Sequence, residues 1–322
     1  MHDIKEELST EIINDFRRVG YSYLELPPEL ILEAQSLATF LYDLDVIDRL
    51  SALATIRSGV LGYYPSELEA KEIAHASGTN ISTWVGTQSR GYSSYDLLEE
   101  QSSILGTSPV FKENAWIDRV PAFKERALAL YGHFKTLAGE LSCSLSSALS
   151  SISEAGGIDL HNYIQRDCLS LMRILNYRAD ETAQTSKEHT DYEFVTLSLS
   201  TSEGLEVKSP AGNWKIVPQR QDHAVLLPGD MFEVVSRGYV RSSLHRARCG
   251  GKARKAVIFF QGLPLEFKIN YTRLGDMAPR SFGEHIVSLL LRGSAHLAPH
   301  AEHLAKQMNI AMPLRNPFRL GK

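Results

Sequence analysis

His189-Thr190-Asp191-Tyr192-Glu193-Phe194-Val195-Thr196-Leu197-Ser198-Leu199-Ser200 is the stretch on which the reading of this chain turns. From Phe194 onward apolar and hydroxyl residues alternate, the period of a strand with one face in a core. Side chains at i and i+2 of a strand share a face, so His189 and Asp191 can converge on one ion while Thr190 points away. Two imidazoles and one carboxylate hold a non-heme Fe(II) on one face and leave the opposite positions open. The third ligand must then come from a distant strand, and His245, in Ser242-Ser243-Leu244-His245-Arg246-Ala247-Arg248, is the candidate. Cys249-Gly250-Gly251 follows as a turn, and Arg254 leads the apolar strand Ala256-Val257-Ile258-Phe259-Phe260, placing a fixed cation beside the metal. An isolated H-x-D recurs by chance, and most histidines are surface or hydrogen-bonded core residues. The strand patterns around the dyad and around His245 are what give it weight.

The 322 residues and 43% hydrophobic content suit a full core. A net charge of −4 and the lack of a basic run with interleaved aromatics argue against nucleic-acid binding. The charged start Met1-His2-Asp3-Ile4-Lys5-Glu6-Glu7 does not read as a secretory signal, and no apolar stretch is long enough to span a bilayer, so the expected location is the cytoplasm, without a membrane partner. Three cysteines, Cys143, Cys168 and Cys249, are too few and too scattered for a disulfide framework or a zinc knuckle, and reduced thiols are expected.

Along the chain, helical spacing over Ile4–Arg18 ends at Gly20, before a short strand Tyr21–Leu26. Pro28 opens a second helix toward Tyr42, and Pro121 precedes a long helix to about Ser153 that is expected to back a sheet. Between them, Ser58 to Thr107 reads as irregular loops and short strands. From Leu169 strands dominate: Leu169–Tyr177, Glu193–Ser200, Leu205–Val207, Trp214–Val217, His223–Leu227, Met231–Val235, Ser243–Arg248 and Lys255–Gln261. Turns such as Ser209-Pro210-Ala211-Gly212-Asn213 and Pro228-Gly229-Asp230 separate them. So many short strands predict a double-sheet barrel or jelly roll. Helix returns from Ser281 to about Gly293 and from Pro299 to Met308. The expected organisation is one catalytic domain over 1–322. Its parts are a mainly helical stretch over 1–160, a β core with the metal site over 165–265, and C-terminal helices over 266–322.

Beyond the triad, the chain resembles the isopenicillin N synthase-like Fe(II)/2-oxoglutarate-dependent oxygenases. The resemblance is carried by Arg173-Ile174-Leu175-Asn176-Tyr177, His189-Thr190-Asp191-Tyr192, Gly204-Leu205-Glu206-Val207, Trp214, Val217-Pro218, Gly229-Asp230, Ser236, His245-Arg246 and Arg254-Lys255-Ala256 before Phe259-Phe260. More loosely, Phe16-Arg17-Arg18-Val19-Gly20-Tyr21, Gly62-Tyr63-Tyr64-Pro65 and Trp116…Pro121-Ala122-Phe123 extend it over nearly the whole chain. It implies an α+β fold with a mainly β core, a double-stranded β-helix (jelly roll, cupin-like) with flanking helices. It further implies iron held by His189, Asp191 and His245, with Arg254 gripping the distal carboxylate of 2-oxoglutarate through its planar guanidinium and Tyr177 hydrogen-bonding the same co-substrate. The implied enzyme is a dioxygenase that uses O2 to oxidise a C–H bond of a small molecule, by hydroxylation, desaturation, epoxidation or ring closure. A role in natural-product biosynthesis, ascorbate as reductant and a monomeric state are the accompanying expectations.

Two departures bear on this. The family's R-x-S serine is Ala256 here, so one hydroxyl donor to the co-substrate is missing, worth about 1 kcal/mol net or more against a charged partner. Arg178 replaces the usual proline after Tyr177 and is expected to face solvent. Ala256 keeps open an oxidase of the same fold that consumes no 2-oxoglutarate, and a non-catalytic binding barrel is the alternative from another class. A zinc hydrolase would need a general base beside the metal, and no H-E-x-x-H occurs. His161, His223, His285, His296, His300 and His303 are expected on the surface, and Tyr64, Trp84, Tyr192 and Phe260 are the aromatics that could line a substrate pocket.

Overall fold

The computed structural model describes the chain apart from residues 1–5, 78–90, 154, 156, 181–185, 249–250, 278, 295, 313–315 and 320–322. Among the described residues the elements run α1 Glu6–Val19, β1 Ser22–Glu25, α2 Pro28–Asp43, α3 Val46–Ser51, β2 Gly62–Tyr64, α4 Glu67–Ser77, β3 Ser93–Leu97 and α5 Pro121–Ser151. They continue with α6 His161–Ile164, β4 Ser170–Tyr177, β5 Val195–Ser200, β6 Leu205–Lys208, β7 Trp214–Ile216, β8 His223–Pro228, α7 Asp230–Val235, β9 His245–Ala247 and β10 Arg254–Gln261. Helices α8 Phe282–Gly293 and α9 Ala301–Gln307 and a 3-10 turn, Pro317–Arg319, close the chain. Among the described residues no helix is long and apolar enough to cross a membrane.

Seven strands pair antiparallel in the order β1-β8-β5-β10-β4-β3-β2, and a smaller sheet has the order β7-β6-β9. This is the jelly-roll arrangement expected of the sequence, with β1, β2 and β3 from the N-terminal part lengthening the major sheet. Period two sorts each central strand into two faces. On β10, Phe259 meets α5, stacking on Phe134 at 5.8 Å and meeting Tyr131 edge-on at 5.3 Å. Arg254, Ile258 and Phe260, on the other face, line a cleft. The long helix therefore does back the sheet. It does so because its apolar stripe, with Phe123, Ala127, Leu130, Phe134, Ala138 and Leu141 all buried, recurs every three to four residues.

Two expectations need correction. Met231–Val235 is helical, not a strand: after Pro228-Gly229 the backbone turns into α7, all six of whose residues are buried. A short, wholly buried apolar run has no polar face to reveal its period, and Glu233 within it is matched by partners remote in sequence. Its carboxylate accepts from Ser242 N at 2.9 Å, Tyr271 Oη at 2.9 Å and Arg273 Nη1 at 2.5 Å. The region 58–107 contains, besides β2 and β3, the helix α4. Glu69 on α4 turns inward to Arg49 at 2.7 Å and Ser93 at 2.6 Å, and this buried polar anchor disguised an otherwise ordinary helix.

Candidate metal centre

β5 opens two residues after Glu193, and the segment before it is stitched to β9 by a pair of backbone bonds. His189 N donates to His245 O and His245 N to His189 O, both at 2.9 Å. That isolated bridge sets the two imidazoles side by side, ring centroids 4.3 Å apart. Each ring is oriented by its own backbone: His189 Nδ1 contacts Lys187 O at 2.8 Å, and His245 Nδ1 contacts Ser243 O at 3.0 Å. With Nδ1–H donating to a carbonyl, each Nε2 keeps its lone pair for the space between the rings.

Asp191 completes the set. Its Oδ1 lies 3.7 Å from His189 Nε2 and 3.6 Å from His245 Nε2, separations that one ion can bridge. Its Oδ2 accepts a bond of 2.6 Å from Thr196 Oγ1, fixing which oxygen faces the histidines. Among the described residues these three form the single group of metal-ligand type, all donor atoms lying within 4.8 Å of one another. Burial, then His245, push the His189 imidazole down to about 4 against the opposing pull of Asp191, so the ring is neutral and able to ligate at physiological pH.

The triad lines a solvent-connected cleft of about 520 Å³, open solvent included. Arg254 and Tyr177, cross-strand partners on β10 and β4, lie in the same wall, the guanidinium carbon 4.9 Å from the Tyr177 ring centroid. Arg254 is 4% exposed, and its Nε and Nη1 have no hydrogen-bond partner among the described residues. A buried cation left with open donors is costly unless an anion arrives. By contrast Arg173, in the same wall, is already matched: its Nε and Nη2 each meet one oxygen of Asp96 at 2.7 Å.

Phe260 lines the cleft, whereas Tyr192 packs edge-on to His285 and Tyr64 bonds Val60 O and packs near His296. Trp84 and Cys249 lie outside the described residues. Arg178 pairs with Glu72 and Asp180 at the surface, as expected. His161, His300 and His303 are exposed and His223 and His296 are half-buried, but His285 is not a surface residue. It is 1% exposed and meets Asp230 Oδ2 at 3.0 Å; the same oxygen accepts from Asn316 Nδ2 at 2.7 Å, and Asn316 Nδ2 also meets Thr190 Oγ1 at 3.1 Å. Thr190, the outward residue of H-T-D, is thus tied through Asn316 to Gly229-Asp230 and α8. Nothing in the local sequence announces Asn316. Only the alternation that turns Thr190 away from the metal required some partner on that side.

Residues 168–262, the span from just before β4 to the end of β10, match the 2OG-Fe(II) oxygenase superfamily. That segment is a 2OG-Fe(II) oxygenase superfamily domain. Among curated relatives of this chain, a 2-oxoglutarate-dependent dioxygenase, tropC, of Talaromyces stipitatus is 35% identical over 126 residues, 37% of this chain and 38% of that protein. The clavatol oxidase claD of Penicillium crustosum is 32% identical over 117 residues, 33% and 35% of the two chains. Flavanone 3-dioxygenase 3 of Oryza sativa subsp. japonica is 25% identical over 210 residues, 62% and 60%. The matched stretches thus span between about a third and three fifths of those relatives' own lengths. Of solved structures, the rice dioxygenase for auxin oxidation superposes with a TM-score of 0.63 at 18% identity, over 93% of this chain and 94% of that one. A full-length Neurospora crassa protein crystallised with alpha-KG and 5-formyluracil gives 0.60 at 19% identity over 82% and 81%. At these identities the superpositions establish the fold, and they extend it across the helical regions that the superfamily match leaves out.

Proposed function

We propose that this oxygenase is an Fe(II)- and 2-oxoglutarate-dependent dioxygenase that oxidises a C–H bond of a small molecule. The observation that carries the reading is the lining of the metal cleft: an imidazole and carboxylate triad and, in the same lining, a buried arginine with two donors unpartnered among the described residues. The donor set fits Fe(II), which takes nitrogen and carboxylate ligands and needs open positions on its far side. The triad and Arg254 line one cleft, as a dicarboxylate held by the metal through one carboxylate and by the guanidinium through the other would require. Bound there, Fe(II) with O2 supplies an oxidant for an unactivated C–H bond, the 2-oxo acid leaving as succinate and CO2.

The chain's own part is positional. Thr196 and the two backbone carbonyls hold the ligands, Arg254 and Tyr177 fix the co-substrate, and Arg173-Asp96 presents a matched donor and acceptor pair in the cleft wall. The apolar Ile258, Phe260 and Leu205 form part of the remaining wall. The fungal relatives support a substrate from natural-product biosynthesis. The test is stoichiometry. Purified protein with Fe(II), ascorbate and a substrate panel should release one succinate per product, and Asp191→Ala should abolish it. Turnover without any 2-oxo acid would instead identify an oxidase of the same fold.

A further inference from the structure

Ala256, two residues from Arg254 on the same face of β10, carries no hydroxyl, and the neighbouring strand carries three. On the inward face of β5 stand Thr196, Ser198 and Ser200, two residues apart, paired across to Phe260, Ile258 and Ala256 of β10. Two of them are engaged. Thr196 donates to Asp191, and Ser200, directly opposite Ala256, donates to Ser202 O at 2.7 Å. Ser198, between them, is 6% exposed, and its hydroxyl makes no hydrogen bond among the described residues, yet it lines the metal cleft.

Its neighbour in that wall is Arg254. A second cleft, of about 340 Å³, lies behind the first, and the residues common to both linings are Ser198, Leu205 and Arg254. The hydroxyl and the guanidinium therefore share one partition, with the apolar Leu205 beside them. A carboxylate gripped by the guanidinium fork keeps further lone pairs, which a neutral donor at its flank can fill. The Ser198 hydroxyl, in the cleft lining and without a partner among the described residues, is free to donate to such an acceptor.

We propose that Ser198 donates the hydrogen bond to the distal carboxylate of 2-oxoglutarate that the Ala256 position cannot, so that the family's hydroxyl has moved from β10 to β5. This rests on the dioxygenase reading above. The test is equilibrium binding by calorimetry, anaerobically and with Co(II) in place of iron. The ligands are 2-oxoglutarate and 2-oxobutyrate, which lacks the distal carboxylate. Ser198→Ala should weaken 2-oxoglutarate roughly ten- to hundredfold, the range for a bond to a charged acceptor, and leave 2-oxobutyrate within about threefold. Adding Ala256→Ser to that variant should restore most of the loss. Unchanged 2-oxoglutarate binding in Ser198→Ala overturns the proposal, as does an equal loss for both ligands, which would indicate altered packing. A wild-type protein that binds metal but no 2-oxoglutarate would refute the functional reading itself, a result separate from either.

Discussion

Thr196→Val removes one hydroxyl while preserving volume and β-branching, and so isolates the bond that orients the metal-facing carboxylate. Thr196 is 2% exposed and Asp191 7%, and the bond between them is 2.6 Å long, short and charge-assisted. A hydrogen bond to a charged group contributes about 1.5–3 kcal/mol. At about 1.4 kcal/mol per tenfold, that corresponds to roughly ten- to 150-fold in an equilibrium constant. The loss of an outer partner of a ligating carboxylate typically costs about ten- to a hundredfold in metal affinity, the same range. The expected result is a Co(II) Kd about ten- to a hundredfold weaker, measured by chelator competition, with Thr196→Ser close to wild type. Circular dichroism should be unchanged for both variants, since the valine fills the same space. Wild-type metal affinity in a folded Thr196→Val protein would refute the reasoning. It would mean that the backbone bond from Asp230 N to Asp191 O, at 2.8 Å, already fixes the carboxylate without help from the side chain.

Other outcomes follow from the same geometry. Gly229→Ala should give little or no folded protein, because a Cβ there would sit 2.2 Å from Glu193 O in backbone that cannot yield; expression and thermal melting check this. Asn316→Ala should lower the denaturant midpoint by an amount equivalent to about 1–3 kcal/mol, since it strips a donor from buried Asp230 and from Thr190. Without metal, stability should fall as pH drops from about 6.5 toward about 4, the ordinary and folded values of His189. The unfolded chain takes up that proton first, so the stability is present above the window and lost on acidification, and urea midpoints against pH show it. Cys168, whose thiol burial and then Asp167 push up to about 12, should resist alkylation at pH 8 while the protein is folded; mass spectrometry after brief iodoacetamide treatment reads it directly.

The parts of the fold that were legible in the sequence are those with a visible period. Val195–Ser200 and Arg254–Gln261 alternate because one face meets α5 and the other a cleft, and α5 announces itself by its stripe from Phe123 to Leu141. The triad was legible for the same reason: H-x-D fixes two ligands on one strand face, and His245 stands in a second alternating run. What stayed hidden was built from polar residues buried by partners far away in sequence. His285 is polar by composition and helical by position, which suggests the surface. It is buried because Asp230 and Asn316, 55 and 31 residues from it along the chain, converge on its side. α7 was misread because a helix buried all round and a strand buried on both faces leave the same run of apolar letters.

Ser198 shows the limit of transferring roles by motif position. A motif names a residue at one place on one strand, whereas a ligand meets a surface made by several strands at once. Ser198 pairs with Ile258 and so stands diagonal to Ala256 on one sheet face, about 7–8 Å away, near enough for either hydroxyl to reach a carboxylate lying between them. Ala256 read alone implies a weakened site. Read with the inward face of β5, where Thr196 and Ser200 are engaged and Ser198 is not, it implies a relocated one.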